Sequence, residues 1–360
     1  MRVGTNPANF ETDLPGYGLH RVIVPVYIPN QVGYFEYALD VLRLCLDSLR
    51  LTTHGKAAVT IVTNGCAPEV LEEIDSRQRL GHFDQVVHNR VNRGKIDAVV
   101  PVARGAFEPL LTITDYDVLF RPGWIEAIEE VFRGFPECGF VSPFPSPGRE
   151  ACYTSATLLG AIVRRELCFE KVVCEQDLDQ FARSINNPGV FQPGPRACQL
   201  VIRRNGVCAC VGSGHFVCTI RKEVVAAMPR EPSLKAYAGW ADREWLDVPP
   251  DKAGNWRLST TRAFVQHMGN RTEDWMYEEL RSIREGPIPN VQFAPLKALR
   301  RDWVRVLPLR FRQRLVDHIV MPRVRRIQSR KLASANAERS TPSGVEEAPA
   351  EPHSAQTTLF

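Results

Sequence analysis

The chain has 360 residues, 44% hydrophobic and 24% charged, with a net charge of only +4. That much apolar material supplies one large core or two ordinary ones, and excludes a disordered or fibrous chain. No segment approaches eighteen uninterrupted apolar residues and the N-terminus lacks an apolar leader, so neither a membrane span nor export is expected, and a cytoplasmic location is.

Taken in order, residues 20–27 (H-R-V-I-V-P-V-Y) form a β-branched run that reads as a first strand, closed by Tyr27-Ile28-Pro29-Asn30. From Phe35, the apolar positions Ala38, Leu42, Cys45 and Leu49 recur every three or four residues and predict an amphipathic helix that ends near Gly55. A second strand over 57–62, a helix over 68–79 opened by Pro68, a short strand over 85–88 and a helix over 95–103 follow. Residues 110–114 (L-L-T-I-T) are the fourth strand, and Pro122-Gly123 turns the chain into a helix near Trp124. Strictly alternating strands and helices imply an α/β fold, a Rossmann-like, mostly parallel sheet flanked by helices.

Ligands of open α/β sheets lie outside the carboxyl ends of the strands. There the sequence places Tyr27, Asn64, Asn92 with Lys95, and Asp115 with Asp117. These offer hydrogen bonds for a base or ribose, a cation for phosphate, and two acids, i and i+2, for a hard divalent metal. Each also has an ordinary reading: Asn64-Gly65 as a turn, Asn92 as a helix cap, Lys95 as a solvated first-turn residue and D-x-D as an exposed bend.

Later, 137–143 reads as a strand, 145–200 as an insertion bordering the acceptor, and 200–203 with 207–211 as a hairpin turned by Asn205-Gly206. Gly212-Ser213-Gly214-His215-Phe216 lets the backbone approach a ligand or bends a strand, and His215 reads first as a packed histidine. His267 ends an apolar run beside Gly269, at a strand terminus. The acids Asp242, Glu244 and Asp247 lie in or beside a helix, where a solvated face explains Glu244 and Asp247 equally well. The ten cysteines are scattered with no C-x-x-C pair and are expected to be free thiols.

The order V-P-V-Y (Val24 to Tyr27), T-N-G-C (Thr63 to Cys66), N-R-G-K (Asn92 to Lys95) and T-D-Y-D-V-L-F-R-P-G-W resembles the nucleotide-sugar half of family 2 glycosyltransferases. G-S-G-H-F, A-D-R-E-W-L-D and Q-H-M-G-N continue the likeness to Asn270. The resemblance implies an A-type glycosyltransferase fold and a nucleoside-diphosphate sugar donor contacted by Pro25, Tyr27, Asn64, Asn92, Lys95 and Asp115. It further implies a divalent metal, Mn2+ or Mg2+, held by Asp117 with Asp115 and completed by His267. Gly214 and His215 fall on the acceptor side. Asp242 aligns with the base, and Glu244 is the alternative should the register differ. Two residues depart from the pattern: Asn64 stands where the family carries Asp, and Ala241 where Glu commonly precedes the base.

Domain organisation is expected as an extension (1–19), a catalytic domain (20–275, divided at 144/145), a basic helical extension (276–332) and a disordered tail (333–360). Residues 297–331 hold twelve Lys/Arg against Asp302 and Asp317, a balance of +10. Interleaved with Trp303, Leu307 and Phe311, they suit either docking on the domain or a helix at an anionic membrane. No nucleic-acid motif accompanies them. The expected function is inverting transfer of a sugar to a glycan or lipid-linked hydroxyl, in surface polysaccharide or glycolipid synthesis. A nucleotidyltransferase is disfavoured by the absence of a Gly-rich basic first loop, and a catalytically dead glycan- or nucleotide-binding module by Asp115, Asp117, Asp242 and His267 together.

Overall fold

The computed structural model describes residues 1, 3–10, 17–236, 238–287 and 295–340. Strands β1 (His20–Val26), β2 (Ala57–Asn64), β3 (Gln85–Asn89) and β4 (Leu110–Thr114) run parallel in the order β3-β2-β1-β4. Helices α1 (Ala38–Thr53), α2 (Pro68–Arg79) and α3 (Lys95–Gly105) connect them. In α1 the residues Ala38, Leu42, Cys45 and Leu49 are buried, as their spacing requires, and the helix stops where His54 turns left-handed.

Beyond β4 the sheet becomes mixed. Strands β5 (Val118–Phe120), β6 (Cys138–Ser142), β7 (Leu167–Glu170), β8 (Gln199–Arg204), β9 (Val207–Val211), β10 (Val217–Arg221), β11 (Trp256–Ser259) and β12 (Val265–His267) complete the strand set. All but β5 and β12 extend one ten-stranded sheet, β3-β2-β1-β4-β10-β6-β11-β9-β8-β7, while β5 and β12 pair separately. Strand β10 lies antiparallel to both β4 and β6. The Asn205-Gly206 hairpin forms with both residues at positive φ.

Helix α4 (Trp124–Gly134) follows the acidic turn and is fastened by Trp124, whose fully buried indole N–H donates to Thr52 at 3.1 Å. Truncating a side chain so placed costs about 3–5 kcal/mol, so the turn before it is well held. The expected insertion is ordered: α5 (Ser155–Arg164), β7, α6 (Glu175–Ser184) and α7 (Pro193–Ala197) fill it. Helices α8 (Lys222–Val225), α9 (Ala238–Asp242), α10 (Val248–Lys252) and α11 (Asp274–Glu285) follow.

The basic segment folds onto this body through α12 (Leu309–Leu315) and α13 (Met321–Ser340), joined by a π-helical turn over Val316–Val320. Val304, Arg312, Val316, Met321 and Val324 are buried, and Asp302 takes Arg164 at 2.7 Å and the Trp256 indole N–H at 3.1 Å. Trp303, Val306 and Phe311 remain exposed. Helix α13 runs through Ser340, eight residues into the expected tail, whereas 341–360 and the expected break at 288–290 lie outside the described residues.

Candidate active site

Strand direction assembles the site. Parallel β4 ends at Thr114 and antiparallel β10 begins at Val217, with Val217 opposite Thr114, so Gly214 to Phe216 lie beside Asp115. The Asp115 N–H donates to the Phe216 carbonyl at 2.9 Å. The β5–β12 pair does the same for the second acid, because His267 sits opposite Val118 and the Met268 N–H donates to the Asp117 carbonyl at 2.8 Å. Residues distant in sequence thus meet at the carboxyl end of β4, in the middle of the sheet.

A cleft of about 380 Å³ opens there, lined by Lys95, Asp115, Arg149, Gly214, His215 and Asp242, with Phe181 and Phe191 from the 145–200 segment on its apolar side. Asp115 accepts from Lys95 Nζ at 2.5 Å, and the same ammonium stands 4.0 Å from Asp242. Burial opposes the charge on Lys95, but the carboxylates of Asp115 and Asp242 outweigh it and hold the ammonium above its ordinary range. Lys95 is therefore a fixed cation.

Helix α3 also ties the segment entering α9 to the Asn64–Asn92 loop. Gly94, at φ +78°, precedes Lys95, and a Cβ there would lie 2.0 Å from the Lys235 carbonyl oxygen, so only glycine lets the chain entering α9 cross so closely. Asp97 in the first turn of α3 accepts from the Ser233 and Leu234 N–H groups at 2.7 and 2.8 Å, clamping that crossing. Asn64 is buried. Its amide donates to Asn92 Oδ1 at 2.9 Å and accepts from the Arg93 N–H at 2.9 Å, while Asn92 Oδ1 also accepts from the Gly94 N–H at 2.8 Å. A carboxylate at 64 cannot donate to Asn92, so this departure from the family pattern is matched by a loop built on an amide. Pro25 is buried within β1, and Tyr27 packs edge-on against Phe35 with its ring half exposed.

On the second-acid side, Asp117 Oδ2 lies 3.4 Å from His267 Nε2, and His267 Nδ1 meets the Ser184 hydroxyl at 2.9 Å. Asp117 Oδ1 is buried without a hydrogen-bond partner. Burial raises the Asp117 carboxyl above its ordinary range against the pull of His267, and Asp115 raises it further. An orphaned carboxylate oxygen beside an imidazole nitrogen is a donor set that suits a divalent cation. Among the described residues no three His, Cys, Asp or Glu side chains are placed to hold one metal ion, and Asp115 is committed to Lys95. Of the expected trio, Asp117 and His267 stand side by side, while Asp115 is turned to Lys95 of α3.

Asp242 ends α9, and a π-helical turn over Arg243–Asp247 follows. In an α-helix residues five apart point in different directions, but the wider turn brings Asp242 and Asp247 to the same imidazole. His215 Nε2 stands 3.6 Å from Asp242 Oδ2 and Nδ1 stands 3.4 Å from Asp247 Oδ2. Asp247 Oδ1 accepts from Arg257 at 2.6 Å. Burial raises the Asp242 carboxyl above its ordinary range even against Lys95 and His215, whereas at Asp247 burial is outweighed by Arg257 and His215, and the carboxyl is held low. Glu244 stands apart from the cleft, nearly half exposed beside Arg243 at 3.5 Å.

Sequence reasoning missed Asp247 as more than a solvated acid, together with Arg257, Ser184 and Phe181. Arg257 in an apolar strand was the available signal, because a buried guanidinium requires an anion. Ser184 and Phe181 carried none.

Residues 22–148 match the glycosyltransferase family 2 profile. No curated protein matches the sequence. Among solved structures, the mannosyltransferase PcManGT from Pyrobaculum calidifontis, in complex with GDP-Man and Mn2+, is 15% identical over 89% of this chain and 76% of its own, with a TM-score of 0.40. Glucosyl-3-phosphoglycerate synthase from Mycobacterium tuberculosis, with Mn2+, UDP and glucosyl-3-phosphoglycerate, is 14% identical over 76% of this chain and 84% of its own, at TM-score 0.35. The S. aureus TarS 1-349 structure is 14% identical, at TM-score 0.28, and about a third of each chain is covered. The matched segment, about a third of the chain, runs from within β1 to just past β6 and holds Lys95 and both acids of the D-x-D turn, and it is similar to a family 2 glycosyltransferase domain.

Proposed function

We propose that this protein transfers a sugar from a nucleoside-diphosphate donor to an acceptor hydroxyl, with inversion at the anomeric carbon. The observation that carries the reading is Asp242: a buried carboxylate whose Oδ1 lacks a partner, lining the same cleft as Lys95 and Asp115. A base in such surroundings holds a proton more readily than an exposed carboxylate and is suited to take one from a hydroxyl. One direct displacement by that hydroxyl inverts the carbon it attacks.

Lys95, a fixed cation at the N-terminus of α3, is placed for the diphosphate. Tyr27 and the Asn64–Asn92 loop border the nucleoside side, and Gly214 and His215 the acceptor side. Asp117 and His267 would hold a divalent cation, Mn2+ or Mg2+, which when bound supplies positive charge to the leaving diphosphate. Screening nucleotide sugars for hydrolysis with Mn2+, Mg2+ or chelator tests the reading. Turnover of one donor that stops in chelator is expected, and no turnover of any donor under any condition overturns it.

The acceptor we place at a membrane surface, as a lipid-linked glycan in polysaccharide or glycolipid synthesis. No helix of the described residues is long and apolar enough to cross a membrane, so contact would be peripheral. Trp303, Val306 and Phe311 lie exposed among Arg301, Arg305, Arg310 and Arg314, a pattern suited to anionic headgroups. Flotation with phosphatidylglycerol vesicles, but not phosphatidylcholine vesicles, is the expected result, weakened by salt. Equal recovery in the soluble fraction with both removes this placement.

A further inference from the structure

A base as enclosed as Asp242 must also release the proton it takes. We propose that His215 is the proton carrier behind Asp242, receiving the acceptor's proton at Nε2 and delivering it to water, with Asp247 and Arg257 supporting the charged ring. The inference rests on the glycosyl-transfer reading above.

Exposure gives the first reason. The Asp242 side chain is 5% exposed and that of His215 is 30% exposed, so the imidazole is the outlet that touches both the carboxylate and solvent. Orientation gives the second. Asp247 faces Nδ1, which places the ring hydrogen there and leaves the Nε2 lone pair toward Asp242. A neutral acceptor would fix the same tautomer. Asp247 is instead an anion pinned by the fully buried Arg257, and an anion also stabilises the imidazolium that forms when Nε2 is protonated. Contacts of 3.4 and 3.6 Å need only a small ring movement to become hydrogen bonds, of the kind that tightens when substrate binds.

The charged groups around the relay are Lys95 from α3, Asp115 from the end of β4, Arg149 from the loop after β6 and Arg257 from β11. In the step itself the acceptor O–H breaks as its oxygen bonds to the anomeric carbon. The bond from sugar to diphosphate breaks, and its electron pair leaves with the diphosphate. The proton goes to Asp242 Oδ1, a turn of the carboxyl group presents it to Nε2, and it is lost from the imidazolium to water, which restores both groups. No oxidant or reductant is involved.

The assay is hydrolysis of the nucleotide sugar that the wild-type enzyme turns over, with water as acceptor. His215→Gln should lower kcat about tenfold or more while leaving the donor KM within about twofold, and imidazole in the buffer should restore activity to His215→Ala. In mixed light and heavy water the wild-type kcat should depend on deuterium fraction with the curvature of two protons in motion, and His215→Gln linearly. A variant with wild-type kcat, or one altered in KM alone and unresponsive to imidazole, overturns the relay. If the variants fold poorly, the wild-type measurement decides alone, a linear single-proton dependence being fatal. An active wild type with an indifferent His215 removes only the relay; a wild type inactive on every donor removes both proposals.

Discussion

His267 and His215 each face an aspartate at nearly the same separation, 3.4 and 3.6 Å through Nε2, yet their far sides differ. Nδ1 of His267 rests on a neutral hydroxyl, Ser184, whereas Nδ1 of His215 faces the carboxylate of Asp247. A hydroxyl orients a ring without placing a charge beside it. A fixed carboxylate orients a ring and places a negative charge beside it. The partner on the far nitrogen, more than the aspartate in front, is what the proposals of a cation site at His267 and a proton relay at His215 divide on.

The largest effect expected is on the His267 side. Asp117→Ala should abolish metal-dependent donor binding, read by calorimetry with and without Mn2+, and full binding in that variant would sink the assignment of this acid to the metal. On the other side, Asp242→Asn should lower turnover about a hundredfold or more while donor affinity stays near wild type. The same variant sharpens the contrast through stability. Because burial raises the folded-state pKa of Asp242 above its unfolded value, the native protein holds this proton more tightly, and stability falls as pH rises through that range. Asp242→Asn should therefore melt about 1–3 °C higher near neutral pH, with the gap closing as pH drops below the ordinary carboxylate range. A lower melting point at neutral pH would mean that Lys95 and His215 more than compensate the charge.

A smaller effect should follow from Ser184→Ala, which leaves both first donors in place but frees the ring: about tenfold weaker Mn2+ binding, with proton transfer from bound substrate unaffected. Smallest of all is Glu244→Gln, expected within about twofold of wild type, since its side chain stands outside the cleft. If Glu244→Gln is inactive and Asp242→Asn active, the register of the base is wrong.

The donor half was legible because its information is local. Val22, Val24 and Val26 alternate with turn residues a strand's length away, Ala38 to Leu49 keep a helical period, and Asp115 and Asp117 follow their strand directly. Parallel strands linked by helices place all their carboxyl ends together, so Lys95 and Asp115 could be assigned to one crevice without coordinates. The acceptor half follows no such rule. Nothing in G-S-G-H-F says that β10 runs against β4, and nothing in S-I-N-N places Ser184 under His267. The role of Asp247 depended on a π-helical turn and on Arg257 ten residues away, neither of which has a periodic signature.

The pairing of Val217 with Thr114 has a consequence for how this protein can vary. His215 and Phe216 lie in the bend directly before Val217, so a residue added or lost between His215 and Val217 would carry His215 away from the place where it meets Asp242. The 145–200 segment is constrained differently: its hairpins and short helices can lengthen at loops far from the carboxyl end of β4, provided Phe181 and Ser184 keep their places. The 145–200 segment can thus vary by insertion, while the bend before Val217 permits substitution but no change of length.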